Sequence, residues 1–343
     1  MTAVYRTSEI APSRHFISRS HPYQQTQTPA TRPRTIKADL VWMDGQMVPF
    51  DQANVHFLSP TLHYGAGVFE GIRCYDTRRG PAIFRLRDHL ARFLYSAEAL
   101  GLSEPRYTLD QLCQAVFWVI EGNGFSDCYV RPLLFFGGSL GLDLDDYEPM
   151  ISIAAWPWEP LLGATAAAAG VRVMVSPYTR MNNNIQMTKA KVGGQYVNSI
   201  LAKTTAKRSG FDEAVMLDQD GFVAECTGEN LFLVRDGVLH TPPNAHVLEG
   251  ITRDTIMVLA RDAGYQVVET RLSREDLLAA DELFVCGTAA EVAGVVAVDE
   301  QLVSNGAVGP ITRQLQELYG DTVRGRNRRS LYWLDYVVTH PLI

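Results

Sequence analysis

The stretch Lys189-Ala190-Lys191-Val192-Gly193-Gly194-Gln195-Tyr196 decides how this chain is read. Paired glycines allow backbone approaches that a Cβ forbids, so a lysine beside them, just ahead of a helix predicted around Tyr196–Arg208, sits near a place of close contact. Lysine becomes a Schiff-base nucleophile when burial or a neighbouring cation depresses its pKa. Alone, such a lysine reads as an ordinary surface residue. Two other stretches change that reading. Gly250-Ile251-Thr252-Arg253-Asp254 places a Gly and a Thr at a helix start, where free N–H groups hold a phosphate; by itself it reads as an ordinary N-cap. Glu225, in Ala224-Glu225-Cys226-Thr227-Gly228-Glu229-Asn230, ends a strand and by itself reads as a capped turn. Together, a lysine, a carboxylate and a phosphate-binding helix start are the parts a pyridoxal phosphate enzyme needs. The lysine forms an imine, the carboxylate keeps the pyridine nitrogen protonated, and the helix start with an arginine holds the phosphate.

Outward from that stretch, the pattern is strands mixed with helices. Ahead of it, Asp39–Met43 and Gln46–Phe50 flank the turn Asp44-Gly45 as a hairpin. Val68–Tyr75 and Ala82–Leu86 read as a strand pair around the turn Thr77–Pro81. Asp88–Leu100 and Leu109–Ile120 carry apolar residues at helical spacing, and Cys128–Phe136 and Met150–Trp156 read as strands. Pro157–Gly170, with two prolines and an alanine run, reads as a connection. Beyond it come a strand at Val171–Ser176, an asparagine-rich loop at Asn182–Asn184, and short strands at Glu213–Leu217, Phe222–Glu225 and Leu231–Val234. The turns Asp220-Gly221 and Asp236-Gly237 space these strands as in an antiparallel sheet. Helices are predicted at Thr252–Ala263, Arg274–Ala280 and Ile311–Tyr319. The class is α/β in composition and α+β in arrangement: an arm over 1–37, a small α+β domain over 38–160, a connecting loop over 161–169 and a large cofactor-binding domain over 170–343.

Composition narrows the classes. The chain has 343 residues, 46% of them hydrophobic and 20% charged, enough to bury a large core without staples. Five scattered cysteines without a C-x-x-C pair argue against a disulfide framework and a structural zinc site. No apolar run approaches a membrane span, and a net charge of −7 argues against a general nucleic-acid binder. That charge is uneven. Residues 1–38 hold six Lys/Arg and one acid, so the remaining residues carry −12. This basic start, rich in Ser, Thr, Gln and Pro, reads as a disordered arm, with an organelle transit peptide as its alternative.

Other motifs carry less. Gly137-Gly138-Ser139-Leu140-Gly141 matches the G-x-S-x-G elbow of serine hydrolases, but Leu142–Pro149 makes a poor helix start, so a glycine-rich loop is the better reading. Gly65-Ala66-Gly67-Val68-Phe69-Glu70-Gly71 is not G-x-G-x-x-G and enters a strand where a dinucleotide site opens a helix. No P-loop and no metal-ligand spacing occur.

From about Ala38 to Val337 the chain resembles the fold-type IV pyridoxal phosphate enzymes, and within them the branched-chain amino acid aminotransferases. The markers run in order: Leu62-His63-Tyr64-Gly65, Val68-Phe69-Glu70-Gly71-Ile72-Arg73, Tyr129-Val130-Arg131-Pro132-Leu133, Ala190-Lys191-Val192-Gly193-Gly194, Glu225 with Gly228-Glu229-Asn230, Gly250-Ile251-Thr252-Arg253, and Gly287-Thr288-Ala289-Ala290-Glu291. The resemblance implies a smaller N-terminal α+β domain and a larger C-terminal domain with a mainly antiparallel, barrel-like sheet. It makes Lys191 the catalytic Schiff-base lysine and leaves Lys189 structural or exposed. Tyr196 then bonds the cofactor phenolate, Glu225 the pyridine nitrogen, and Leu248 packs on the ring. Arg92, the Ile251 and Thr252 amides and the Thr288 hydroxyl cradle the phosphate. Tyr64, Phe69, Tyr129, Arg131, Trp158, Thr288 and Ala289 form the substrate pocket.

The implied reaction is ping-pong amino transfer from Leu, Ile or Val to 2-oxoglutarate, in a cytoplasmic homodimer or higher homo-oligomer acting on amino acids and 2-oxo acids, with no metal, nucleic-acid or membrane partner. Two departures bear on side-chain preference. Leu161 stands where related enzymes often carry a pocket tyrosine, and the loop over 138–147, which in the family reaches toward the partner's site, is unusually acidic. D-amino acid and (R)-amine transaminases and aminodeoxychorismate lyase are the alternatives within the fold, and a serine hydrolase using Ser139 is the alternative outside it.

Overall fold

A computed structural model describes residues 38–102, 104–158, 161–162, 165–181, 189–245 and 247–337. The basic arm over 1–37 and the asparagine run Asn182–Asn184 lie outside the described residues.

The first hairpin follows from Asp44-Gly45. Both residues have positive φ, 47° and 99°, as a two-residue turn between twisted strands requires. Across it pair β1 (Leu40–Met43) and β2 (Gln46–Pro49). A short helix α1 (Pro60–Tyr64) precedes β3 (Val68–Phe69), β4 (Ile72–Thr77) and β5 (Gly80–Phe84). The sequence predicts one strand over Val68–Tyr75. The structure breaks it at Glu70-Gly71, where the buried Glu70 side chain turns to His89 and Arg92.

Next come α2 (Leu86–Ala99) and α3 (Leu109–Gly122). A capping box between Thr108 and Gln111 starts α3. Both helices lay their apolar stripes on the sheet, burying Leu90, Phe93, Leu112, Val116 and Ile120. Each such side chain contributes about 1.5–3 kcal/mol when fully buried. The long strands β6 (Cys128–Gly138) and β7 (Tyr147–Trp156) complete this part.

Beyond a one-turn helix α4 (Ala166–Ala169), formed from the alanine run of the connection, lie β8 (Val171–Val175), α5 (Tyr196–Arg208), β9 (Glu213–Leu217), β10 (Val223–Cys226), β11 (Asn230–Arg235) and β12 (Val238–Thr241). Asp236 and Gly237 both have positive φ in the tight turn between β11 and β12, as the sequence predicts for a hairpin. Then follow α6 (Ile251–Asp262), β13 (Val267–Glu269), α7 (Arg274–Leu278), β14 (Glu282–Gly287), β15 (Glu291–Val298), β16 (Gln301–Leu302), α8 (Pro310–Val323), α9 (Ser330–Trp333) and β17 (Leu334–Tyr336).

Two sheets result. The first runs β17-β5-β4-β6-β7-β1-β2, with β3 beside β6, and all its pairs are antiparallel. The second runs β10-β9-β8-β15-β14-β11-β12-β13, with β16 on β15. It is mainly antiparallel, with parallel pairs where β8 meets β9 and β15 and where β12 meets β13. The sequence marks no strand at β14 or β15, although they lie in the middle of this sheet. Their continuous apolar runs, buried on both faces, lack the alternation that signals a half-exposed strand. Nor does it signal that β17 returns to β5 of the first sheet.

Candidate active site

Lys191 is fixed where a loop of the second sheet's segment meets the first sheet. Val192 bridges Val68, and the Phe69 N–H donates to the Lys191 carbonyl at 3.1 Å. The Gly193 and Gly194 N–H groups donate to the Gly67 and Gly65 carbonyls at 2.8 and 3.0 Å. This contact accounts for the glycines: a Cβ on Gly65 would lie 2.8 Å from the Gly194 Cα. The Lys191 N–H donates to Ser96 Oγ of α2 at 2.9 Å. Lys191 Nζ donates to Tyr196 Oη at 2.7 Å and lies 5.0 Å from the centre of the Phe69 ring. Phe69 meets Tyr196 edge-on at 4.8 Å. Lys189 instead pairs with Glu249 at 3.6 Å, half exposed.

Glu225 lies in the same pocket, buried at the end of β10. Its Oε2 accepts from Asn230 Nδ2 and from the Leu248 N–H, each at 3.1 Å, and its Oε1 pairs with Arg180 Nη1 at 2.5 Å. Burial pushes this carboxyl above the ordinary range, while Arg180 and Lys191 pull it down. Leu248 therefore does two things: its amide fixes Glu225, and its side lines the pocket.

Arg92, on α2, reaches the turn just before α6, its Nη1 donating to the Glu249 carbonyl at 2.8 Å. Its Nε and Nη2 grip the two oxygens of Glu70 at 2.6 and 2.9 Å. His89 Nδ1 shares Glu70 Oε2 at 2.8 Å. Burial alone would raise the Glu70 carboxyl, but Arg92 and His89 hold it well below the usual range. A guanidinium has five N–H donors, and these contacts engage three. At α6, Ile251 and Thr252 form the first turn behind Gly250, which offers no side-chain cap, so the amides of that turn have no intrahelical acceptor. Arg92 and this helix start thus form a cradle for an anion.

Of the remaining predicted residues, Tyr129 and Trp158 form an aromatic wall. Tyr129 stacks on Trp158 at 4.6 Å and tilts against Trp156 at 5.3 Å. Gly71 makes room for it, since a Cβ there would lie 1.9 Å from Tyr129 Oη. Arg131 Nη2 donates to Tyr129 Oη at 3.1 Å, and its guanidinium lies over Phe69 at 4.7 Å. Phe69 is thus a wall common to Lys191 and Arg131. Arg131 Nε is buried without a hydrogen-bond partner. Thr288 and Ala289 sit half-buried in the turn after β14, and Trp158 Nε1 and the Leu161 N–H both reach the Ala289 carbonyl, at 3.5 and 3.1 Å. Tyr64 is about half exposed, and its hydroxyl donates to the Leu140 carbonyl at 2.8 Å, in the loop between β6 and β7. It shares no ring contact or hydrogen bond with the Lys191 group among the described residues.

Ser139 lies in that same exposed loop between two antiparallel strands, where its Oγ accepts the Gly141 N–H at 3.2 Å. A nucleophile elbow needs a strand followed by a helix, which this loop does not supply.

Among the site residues that carry no predicted role from sequence are Glu70, His89, Arg180 and Glu229. Glu70 and Glu229 both stand inside quoted motifs, each a charge among apolar or small residues, and that was the available signal. Arg180 and His89 give none.

Comparison with known proteins agrees with this geometry. The family model described as Amino-transferase class IV matches residues 67–298. A branched-chain-amino-acid aminotransferase of Pseudomonas aeruginosa is 42% identical over 299 residues, covering 87% of this chain and 97% of its own length. That of Escherichia coli K12 is 43% identical over 307 residues, covering 88% and 99%. Among solved structures, the T.th. branched-chain amino acid aminotransferase with pyridoxamine 5'-phosphate superposes with a TM-score of 0.85 at 45% identity, covering 88% of this chain and 100% of that one. The Escherichia coli enzyme gives 0.86 at 43%, with the same coverage. With more than half its length matched by the family model, and relatives above 40% identity along nearly all of theirs, this chain belongs to the class IV aminotransferases.

Proposed function

We propose that the chain is a branched-chain amino acid aminotransferase that uses pyridoxal phosphate. It moves the amino group of Leu, Ile or Val to 2-oxoglutarate. The observation that carries this reading is Lys191 Nζ held 2.7 Å from Tyr196 Oη, in one pocket with the buried Glu225. The residues present fit the cofactor: an amine and a phenol side by side, a buried carboxylate, and a cationic helix start with donors to spare.

Bound there, pyridoxal phosphate supplies an electron sink that lets an amino acid release its α-proton. Lys191 would attach the cofactor, and its Nζ would carry the substrate's α-proton as general base and then acid. Tyr196 orients Nζ. Glu225, fixed by Asn230, Leu248 and Arg180, holds a proton on the pyridine nitrogen. Arg92, Ile251, Thr252 and Thr288 hold the phosphate. Tyr129 and the Thr288 and Ala289 amides take the substrate α-carboxylate, while Phe69 and Trp158 flank its side chain. An aliphatic side chain gains about 0.8 kcal/mol per buried methylene against such aromatics. Arg131 takes the distal carboxylate of glutamate or 2-oxoglutarate, a role its place over Phe69 and beside Tyr129 supports.

The test is chemical. Borohydride treatment followed by peptide mass mapping is expected to leave the cofactor's mass on the Lys191 peptide. Attachment elsewhere, or none after reconstitution, ends this reading.

We also read the chain as a homodimer or larger homo-oligomer. Helix α5 turns Val197, Ile200 and Leu201 outward at helical spacing, and Leu142 is 86% exposed in the β6–β7 loop to which Tyr64 is tied. Light scattering tests this, with Ile200→Asp expected to weaken the assembly. Five free, buried cysteines suit a reducing, cytoplasmic compartment. The division into 38–160, 161–169 and 170–343 is supported by the change of sheet between Trp156 and Val171, with β17 the exception that returns to the first sheet.

A further inference from the structure

Three glutamates converge around the Lys191 pocket from different strands: Glu213 at the start of β9, Glu225 in β10 and Glu229 just before β11. All three are more than nine-tenths buried. Glu225 has Arg180 as its cation. Glu213 pairs with Lys203 of α5 and also accepts from the Thr227 hydroxyl at 2.6 Å and the Ala214 N–H at 2.7 Å. Glu229 forms no ion pair among the described residues. Its Oε2 accepts the Gly228 N–H at 3.2 Å, while Oε1 is buried and no donor reaches it. Yet Glu229 lines the pocket with Lys191, Tyr196 and Glu225.

A buried carboxylate without a donor is strongly unfavourable, and two facing carboxylates cannot both stay ionised. Glu213 is held by the Thr227 hydroxyl, two residues before Glu229, and its charge acts on the Glu229 carboxyl; it already has a cation and two neutral donors. The other titratable groups around Glu229 offer no relief. Cys226 of β10 and Cys286 of β14 are thiols that burial pushes up, and Lys203 is engaged by Glu213. Across the pocket, Arg180 is engaged by Glu225 and Lys191 by Tyr196. Protonation resolves the conflict, because a carboxylic acid gives Glu229 a donor to place on Glu213. Burial first, and then the Glu213 charge, push the Glu229 carboxyl up to about 8.

We propose that Glu229 stands in the pocket wall as a neutral carboxylic acid whose proton bridges to Glu213, so that Glu225 is the single carboxylate charge presented to the cofactor's pyridine nitrogen. Glu229 is on this account a positioning residue, and its link to the pyridine nitrogen rests on the pyridoxal phosphate reading above.

Infrared spectroscopy of the holoenzyme at neutral pH tests it. A carboxylic-acid C=O band that shifts in D2O is expected, disappearing above about pH 8 and absent in Glu229→Gln. Glu213→Gln, which frees Lys203 and removes the Glu213 charge, is expected to let Glu229 ionise, and so to lose the band at neutral pH. Absence of the band in the native protein, or its persistence in Glu229→Gln, overturns the proposal. The second readout is the visible spectrum of bound cofactor. An alkaline transition in the native enzyme is expected to vanish in Glu229→Gln, and superimposable titrations count against it. A protein that binds no cofactor gives no visible signal and defeats the proposed function, while the infrared band still reports Glu229 by itself.

Discussion

The two sides of the site are built differently. On the Lys191 side, ionisable groups are buried and matched: Lys191 with Tyr196, Glu225 with Arg180, Glu70 with Arg92 and His89. On the Arg131 side the walls are aromatic, and the guanidinium rests on Phe69 and Tyr129 with one buried N–H unclaimed. The first side is a fixed electrostatic environment, whose donors are in place before anything binds. The second is a shaped surface with one spare charge, suited to admitting two unlike side chains in turn. On the proposed reading, the matched side sets the reaction and the other the choice of substrate.

That contrast can be broken from either side. Lys191→Ala removes the group that moves the proton, and turnover of every donor is expected to fall by ~10⁴-fold; a variant retaining native rates with any amino acid would place the chemistry elsewhere. Glu225→Gln keeps the shape but not the charge. Single-turnover proton transfer is expected to slow by roughly 100-fold, within the range of acid–base contributions, while cofactor retention changes far less. Parallel losses in both would join two functions that the geometry separates.

Arg131→Met tests the aromatic side. Loss of a charge-assisted bond of about 1.5–3 kcal/mol is expected to slow glutamate and 2-oxoglutarate by roughly 10–100-fold and leave leucine close to native. Equal effects on both substrates refute a role confined to the distal carboxylate. Gly71→Ala should act more gently on chemistry. Its Cβ would collide with Tyr129 Oη, and overpacking of this kind destabilises by about 1–3 kcal/mol, read as a lower melting temperature with a raised KM.

The smallest effect returns to the buried charges. With its folded pKa raised from 4.5 to about 8, Glu229 contributes stability that is full below about pH 4.5 and is lost as pH rises toward about 8. Glu229→Gln is therefore expected to gain on the native protein in melting temperature across that interval and to run parallel to it above. A difference constant with pH would show that Glu229 does not change its protonation between the folded and unfolded chain.

What could be read from the sequence follows from range. Lys191, Gly193 and Gly194 lie within one short stretch, so a lysine beside paired glycines stands out locally, while its role and that of Tyr196 come from the family resemblance. Asp44-Gly45 and Asp236-Gly237 likewise declare their turns, because positive φ is a property of the residues themselves. The family resemblance implies Tyr196, Arg92, Leu248 and the pocket residues; of these the structure ties Phe69, Tyr196 and Leu248 to the Lys191 pocket and joins Tyr129 and Trp158 on the Arg131 side, while Tyr64 bonds the β6–β7 loop instead. Tertiary structure alone decided the rest. Glu70 holds Arg92 from 22 residues away, and Arg180, in the segment after β8, pairs with Glu225 in β10. The central strands β14 and β15 carry no alternation, since both of their faces are buried. Which buried charge meets which is a property of the packed molecule: at short distance in a low dielectric, pairing is dictated by geometry that no local pattern encodes.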